Sequence, residues 1–346
     1  MYRIFVFKRV LYGALMYIVM VCVYSTLFNN VADATLRAQI EEQVRQESTR
    51  LRSVSAEQLR ALMDVQRQIK LNQYHLNEPL PRRIFWRSVR TLLFDFGNAT
   101  IIKASNGDRL VSGIILEALP RTILLFTSEV IVTTILGVAL GLYMAKRPGG
   151  LLDRFSSAVT MITNGLPSWW LGMIAIMVFS YALPLFPSGG LHSNPAPAGL
   201  AGIIDYLWHL SLPLLTLVVL GVWGTGYVTR NIVLSTLQED YVMAARARGI
   251  PERRVLFGHT LRTAMPAIMT LAVLGLFASI AGNIIVEGIF GWPGIGNLYF
   301  IAVQQNDVPV LMATLAIETL VNMLGFVILD LIYGFLDPRI KVGGRA

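Results

Sequence analysis

The chain has one cysteine, Cys22, and it lies inside an apolar run, which excludes an internal disulfide framework and a cysteine-based metal site within the chain. Charge is scarce too. With 14% charged residues against 54% hydrophobic and a mean hydropathy of +0.58, the 346 residues are too apolar for an ordinary soluble domain and belong in a bilayer. No lysine follows a glycine, so there is no Walker-type phosphate loop and no binding of ATP by that route. His75, His192, His209 and His259 are widely separated in sequence and no HExxH accompanies them, so no metal centre is expected. GxSxG is also missing, and no nucleophile, base and orienter can be assembled, which argues against a membrane-embedded hydrolase. The chain is expected to be non-catalytic and to hold no cofactor itself.

The net charge of +8 does not point to nucleic acid, because the basic residues alternate with membrane-length apolar runs instead of forming a stripe interleaved with aromatics. Six runs are long enough to cross: Val10 to Phe28, Leu119 to Ala145, Val159 to Tyr181, Leu207 to Val228, Pro266 to Val286 and Val308 to Leu336. The expected fold class is therefore an all-α integral membrane protein with six transmembrane helices. Arg3, Lys8 and Arg9 precede the first run, Lys146, Arg147 and Arg154 follow the second, and Arg339, Lys341 and Arg345 close the chain. The loops 184–206 and 287–307 contain no lysine or arginine. By the positive-inside rule both termini are expected in the cytoplasm. The long polar segment after the first run carries Arg37, Arg45, Arg50 and Arg52 on the opposite side, but a segment of that length translocates largely regardless of charge. Ala32-Asp33-Ala34 resembles a signal cleavage site; the preceding apolar run is too long for a usual signal core and reads as an anchor.

In that outer segment Leu36, Ile40, Val44, Leu51, Leu59, Leu62 and Ile69 recur at helical intervals, and Ser55 with Gln58 form a capping-box pattern. A helical hairpin is expected, either a solvated cap or a docking surface for an extracytoplasmic partner. From Leu71 to Arg121 the pattern breaks around Pro79, Pro81, Gly97, Asn106 and Gly107, which predicts a small irregular subdomain. The stretch LPLFPSGGLHSNPAPAG should be an extended loop, and FGWPGIGN a tight re-entrant turn with Trp292 as an interfacial belt residue; Trp292, Pro293 and Gly294 are candidates for an outer gate.

The most informative segment runs from Asp240 to Met265, DYVMAARARGIPERRVLFGHTLRTAM. So many arginines place it at the membrane surface. Ala244, Ala245 and Ala247 favour helix, Gly249 suits a left-handed terminus, and Pro251 with Glu252 suits the start of the next helix, so two short helices are expected to meet at Gly249. Within the spans, Glu129, Glu318 and Asn322 are costly in hydrocarbon and should face the bundle interior or water. They are either a polar pathway lining or hydrogen-bonded glue between helices, aided by Thr127, Ser128 and Thr319. Gly221, Gly224 and Gly226 are expected to permit close helix approach.

Three patches resemble the permeases of ATP-binding-cassette importers, in the dipeptide, oligopeptide and nickel branch: DYVMAARARG with ERRVLFGHTLR, similar to the family's EAA loop; VEGIFGWPGIGNL with NDVP; and the end, LDLIYGFLDPRIKVG. Met243 stands where the general EAA pattern has glutamate, and 29–70 lacks the proline-glycine-aspartate signal often found after the first span. The resemblance implies a division into residues 1–30 (tail and first helix), 31–118 (extracytoplasmic helical and irregular subdomain) and 119–346 (permease core of five helices, with a cytoplasmic coupling loop at 229–265). It further implies a multi-pass protein of the bacterial inner membrane, forming half of a translocation pathway. The implied partners are a second homologous permease, two ATPase subunits that bind ATP and Mg, an extracytoplasmic solute-binding protein and the lipid bilayer; nucleic acid is not among them. Asp240, Tyr241, Ala244, Ala245, Arg246, Arg248, Gly249, Glu252 and Arg253 would then couple the chain to the ATPases. Peptides lead as solute, ahead of nickel complexes and oligosaccharides. The rival reading is a stand-alone ion-coupled carrier or channel, which leaves the Gly249 knuckle without a purpose.

Overall fold

A computed structural model describes residues 2–50 and 56–336. Leu51 of the expected helical pattern, Arg52, Ser55 of the expected capping box and the basic terminus with Arg339, Lys341 and Arg345 lie outside the described residues. In chain order the helices are α1 (Tyr2–Leu27), α2 (Asn29–Arg50), α3 (Ala56–Gln73), α4 (Leu80–Leu92), α5 (Val111–Lys146), α6 (Leu151–Gly165) and α7 (Ser168–Ala175). They continue with α8 (Gly199–Leu237), α9 (Asp240–Ala247), α10 (Glu252–Arg254), α11 (Leu261–Ala278), α12 (Ile284–Ile289), α13 (Ile295–Gln304) and α14 (Val308–Leu336). Wide π-helical turns occupy Ile176–Ala182 and Val255–Thr260. Among the described residues all regular structure is helical, save an isolated bridge between Asn98 and Leu110.

Five helices are long and apolar enough to cross a bilayer, and a bent pair would make a sixth crossing. That pair corrects the expected span Val159 to Tyr181, which is not one helix. α6 ends at Gly165, Leu166 is extended, and α7 restarts after Pro167 at an angle of 100°. Proline disfavours helical backbone at the residue before it, which accounts for the break. The expected span Pro266 to Val286 also differs: α11 ends at Ala278, and Gly282 at φ +72° precedes Asn283, whose Oδ1 accepts from the Ile285 and Val286 amides to open α12. Between Leu71 and Arg121 the chain is more regular than its broken pattern predicts. α4 occupies thirteen residues with Pro81 at its permissive N-terminal end, and α5 begins at Val111, ahead of the expected Leu119.

Two units pack separately, one of 1–118 with 298–346 and the other of 119–297. In the first, α1 and α14 run antiparallel: Arg9 pairs with Asp330 at 3.1 Å near one end, and Tyr24 with Thr319 at 3.0 Å near the other. The expected hairpin exists, with α2 and α3 closing on Ile40, Val44, Leu71 and Leu76. Asp307, fully buried, accepts from the backbone amides of Thr100, Ile101 and Ile102 at 3.0, 2.8 and 3.0 Å, tying the irregular segment before α5 to the start of α14.

In the second unit α5 and α8 approach so closely that a side chain on Gly141 would meet the Gly226 carbonyl at 2.5 Å and Thr229 Cβ at 2.6 Å. Gly221 is equally tight against Thr133, so Gly221 and Gly226 serve close packing as the sequence suggests; Gly224 has only Asn164 at 3.9 Å. Asp153, buried, takes a bidentate pair of bonds from Arg230 Nε and Nη2, both 2.8 Å, locking α6 to α8.

Candidate coupling knuckle and buried turn

The arginine-rich block folds into one short helix and the start of a long one, which corrects the expected pair of short helices. α9 ends at Ala247 and the chain turns at Gly249, φ +76°, with Gly249 N–H donating to Arg246 O at 2.9 Å and Ile250 N–H to Ala245 O at 3.3 Å. This is the paired closure that satisfies the last carbonyls of a helix, and it needs a residue free to adopt the left-handed region. Pro251 sits just outside the next helix as its cap residue, so one position earlier than expected. α10 then passes without a stop through the Val255–Thr260 π-turn, closed by Thr260 Oγ1 donating to Val255 O at 3.1 Å, into α11.

One face of α9 is held by its own chain. Val242 and Ala245, three residues apart, are buried with Val233, Leu237, Val255, Leu256, Ala264 and Ile268. Burying Val242 completely contributes about 2 kcal/mol to keeping α9 docked. Ala245 therefore does not offer its small side chain to a partner, contrary to expectation; it is a packing residue. Asp240, Tyr241, Met243, Ala244, Arg248, Gly249, Glu252 and Arg253 are exposed. Arg246 is exposed as well, but its guanidinium already grips Glu252, Nη2 to Oε1 at 2.6 Å and Nε to Oε2 at 3.2 Å. That pair bridges the knuckle across Gly249. Phe257, half exposed on the π-turn, extends the apolar part of this surface.

The second site is the turn after α12. Trp292 is fully buried and its Nε1–H donates to Arg121 O at 3.0 Å, so it is an anchor within the protein and not the interfacial belt residue the sequence suggests. Tyr206 lies against it with ring centres 5.6 Å apart, Phe186 and Leu191 pack on the same apolar cluster, and Gly190 N–H donates to Phe290 O at 3.0 Å, which joins the proline-rich loop to the turn. Pro293 presents its carbonyl to Arg121 at 3.4 Å. The turn closes on Glu287, which the sequence reading did not single out. This side chain has no exposure; its Oε1 accepts from Thr122 Oγ1 at 2.8 Å and its Oε2 from Asn297 N at 2.9 Å, while Thr122 Oγ1 accepts from Ile295 N at 2.7 Å. Gly294 is required because a Cβ there would lie 2.6 Å from both carboxyl oxygens and 2.3 Å from Thr122 Oγ1. Burial pushes the Glu287 carboxyl up to about 7, against the opposing pull of the Asn297, Thr122 and Gly296 donors. The available signal was an acid at the end of an apolar run and beside a glycine cluster.

The polar residues of the spans divide between the units, Glu129 in one and Glu318 with Asn322 in the other. Glu129 Oε1 accepts from Thr133 Oγ1 at 2.9 Å beside Gly221. Asn322 Nδ2 donates to the Glu318 carbonyl at 3.0 Å, within its own helix. Hydrogen-bonded glue is visible nearby: Thr127 meets Ser279 at 2.9 Å, and Thr319 meets Tyr24. Of the histidines, His192 and His209 converge on Asp205, each at 3.6 Å, despite their separation in sequence.

Residues 137–342 match the family described as binding-protein-dependent transport system inner membrane component. Among curated relatives, the oligopeptide transport system permease protein AppB of Bacillus subtilis is 34% identical over 78% of this chain and 84% of its own. The peptidoglycan transport system permease protein YejB of Agrobacterium fabrum is 33% identical over 77% and 73%. The dipeptide transport system permease protein DppB of Escherichia coli is 30% identical over 65% and 73%. A matched region that contains both the knuckle and the glycine-rich turn, on a scaffold of apolar helices, assigns the chain to the binding-protein-dependent inner membrane components, as a multi-pass permease subunit of an ATP-binding-cassette importer in the bacterial inner membrane.

Proposed function

We propose that the chain forms half of a translocation pathway for peptides or related solutes, and that segment 240–262 couples it to two separate ATPase subunits. In this reading a second homologous permease completes the pathway, a solute-binding protein delivers to the outer face, both termini and the knuckle lie in the cytoplasm, and residues 31–118 lie outside. The bent α6 and α7 pair serves as the sixth crossing. The observation that carries the coupling role is the two-sidedness of α9. Val242 and Ala245 fasten it to the chain's own apolar cluster, while Tyr241, Met243, Ala244 and Arg248 are exposed on the other side. A helix so held transmits force from whatever grips its outer face, because the cluster beneath it belongs to α8 and α11, two membrane-crossing helices.

ATP and Mg are held by the partner ATPases and supply the bias between two packings of the bundle; this chain supplies the lever. Trp292, Pro293 and Gly294, braced on Glu287, form an outer gate in this reading, and Glu129, Glu318 and Asn322 are polar groups of the spans with glue as their first role. The peptide assignment rests on the relatives named for oligopeptide and dipeptide transport. Cysteine crosslinking from Ala244 or Arg248 in the assembled complex tests the coupling, with Ala245 as an internal control. Capture of an ATPase from 244 and 248 but not from 245 is expected. Crosslinks that never reach an ATPase in a transporting complex would refute it.

A further inference from the structure

A cavity of about 210 Å³ opens among α2, α4, the 95–98 loop and the start of α14, and none of the roles proposed above draws on it. Arg83, Arg87 and Arg90 line it, one turn apart along α4, together with Tyr74, Trp86 and Phe96. Arg83 and Arg87 both donate to the one buried carboxylate of Asp33, the Arg87 bond being 2.7 Å. Arg90 pairs with Asp95 at 2.9 Å and lies 5.9 Å from the centre of the Tyr74 ring. Glu78, beside His75, is matched by Arg82 at 3.0 Å. Three lining guanidinium groups thus face two carboxylates, and one positive charge is left over in a half-enclosed site. Such a charge calls for an anion.

The position of the cavity identifies which kind. α1 and α14 run antiparallel, so the end of α1 at Leu27 and the start of α14 at Val308 mark the same bilayer surface, and Ala32, Val308 and Met312 pack together there. Ala32, Val308 and Met312 also line the cavity, which places it at headgroup depth. Beside it α4 is a short amphipathic helix with an exposed apolar margin: Phe85 is 58% exposed and edge-on to Trp86, Leu93 is 73% exposed, and Phe94 is edge-on to Phe96. Basic and aromatic residues on one short helix suit a segment lying in the interface plane.

We propose that this cavity holds the phosphate of an anionic phospholipid, its headgroup on the Arg83, Arg87 and Arg90 cluster and its acyl chains along Phe85, Leu93 and Phe94. The site is separate from the coupling reading and does not depend on it. The test uses the full-length chain purified from membranes in its native assembly, with native mass spectrometry after adding dioleoyl phosphatidylglycerol, dioleoyl phosphatidylethanolamine or sn-glycerol 3-phosphate. Arg83→Gln removes the surplus charge while leaving Asp33 paired with Arg87, so the fold should persist; Arg90→Gln provides an independent loss of charge at the rim. Selective retention of phosphatidylglycerol by the wild type, weakened about fivefold in each variant at unchanged unfolding temperature, supports the site. Equal retention of the two lipids, or phosphatidylglycerol binding indifferent to both variants, overturns it. Glycerol 3-phosphate binding as tight as the lipid would overturn the lipid assignment in favour of a soluble anion.

Discussion

The turn built on Glu287 should loosen as pH rises, and the size of the effect follows from its burial. A glutamate ordinarily titrates near 4.5, and this one near 7, because the charged form has lost its water and gained only a hydroxyl and backbone N–H donors. The folded turn therefore holds a proton that the opened chain releases, so stability is highest below about 4.5, falls as pH rises to about 7, and is level above it. At about 1.4 kcal/mol per pH unit the whole loss is about 3 kcal/mol. About 2 kcal/mol of that falls between pH 5.5 and 8, or roughly a thirtyfold change in the population of the open turn. Glu287 lies beyond the membrane-crossing helices and has no exposed surface, so salt should screen it little. Hydrogen–deuterium exchange of peptides covering 284–298, corrected for the intrinsic pH dependence of amide exchange, measures the opening directly. Glu287→Gln, which cannot ionise, should be less protected at low pH but flat across the range. A wild-type turn with no residual pH dependence, or a Gln variant with the wild-type slope, would refute the reasoning.

Three further outcomes follow from particular contacts. Gly249→Pro cannot reach φ +76° and loses the N–H that bonds Arg246 O, a cost of about 3 kcal/mol, whereas Gly249→Ala costs about 1 kcal/mol; uptake by reconstituted complexes should be abolished in the first and reduced in the second, with co-purification of subunits intact. Asp153→Ala strands the Arg230 guanidinium and the Gly149 amide and should destabilise the chain by about 3–5 kcal/mol, while the double variant with Arg230→Leu recovers much of it, as read by thermal unfolding in detergent. Gly141→Ala drives a methyl to 2.5 Å from the Gly226 carbonyl and must push α5 off α8, costing about 1–3 kcal/mol or more in the same assay; an unchanged unfolding temperature would mean that the two helices are not in close contact.

Much of the fold was legible because membrane insertion reads a local, additive property. Windows of apolar residues located α14 from end to end and the middles of α1, α5 and α8, whose helices begin well before the apolar runs do, and the small-residue seam of Gly221 and Gly226 was recognisable within one such run. The knuckle at Gly249 was also legible, since helix closure depends on a handful of neighbouring dihedrals. What failed were inferences that needed to know a residue's neighbours. Ala245 and Ala247 look alike in sequence, yet only Ala245 turns inward to the α8 and α11 cluster. Trp292 reads as a belt residue until Arg121 and Tyr206 arrive around it.

The chain's hydropathy and charge order determined that it crosses a membrane and where its arginine-rich surface block falls. Only the tertiary structure decided that Glu287 is the post on which the glycine turn closes, that Asp153 joins α6 to α8, and that three arginines of α4 share too few carboxylates. The physical reason is range. Partition into lipid sums over consecutive residues, whereas the environment of a buried acid is made by groups such as Thr122, 165 positions away, that no local window contains.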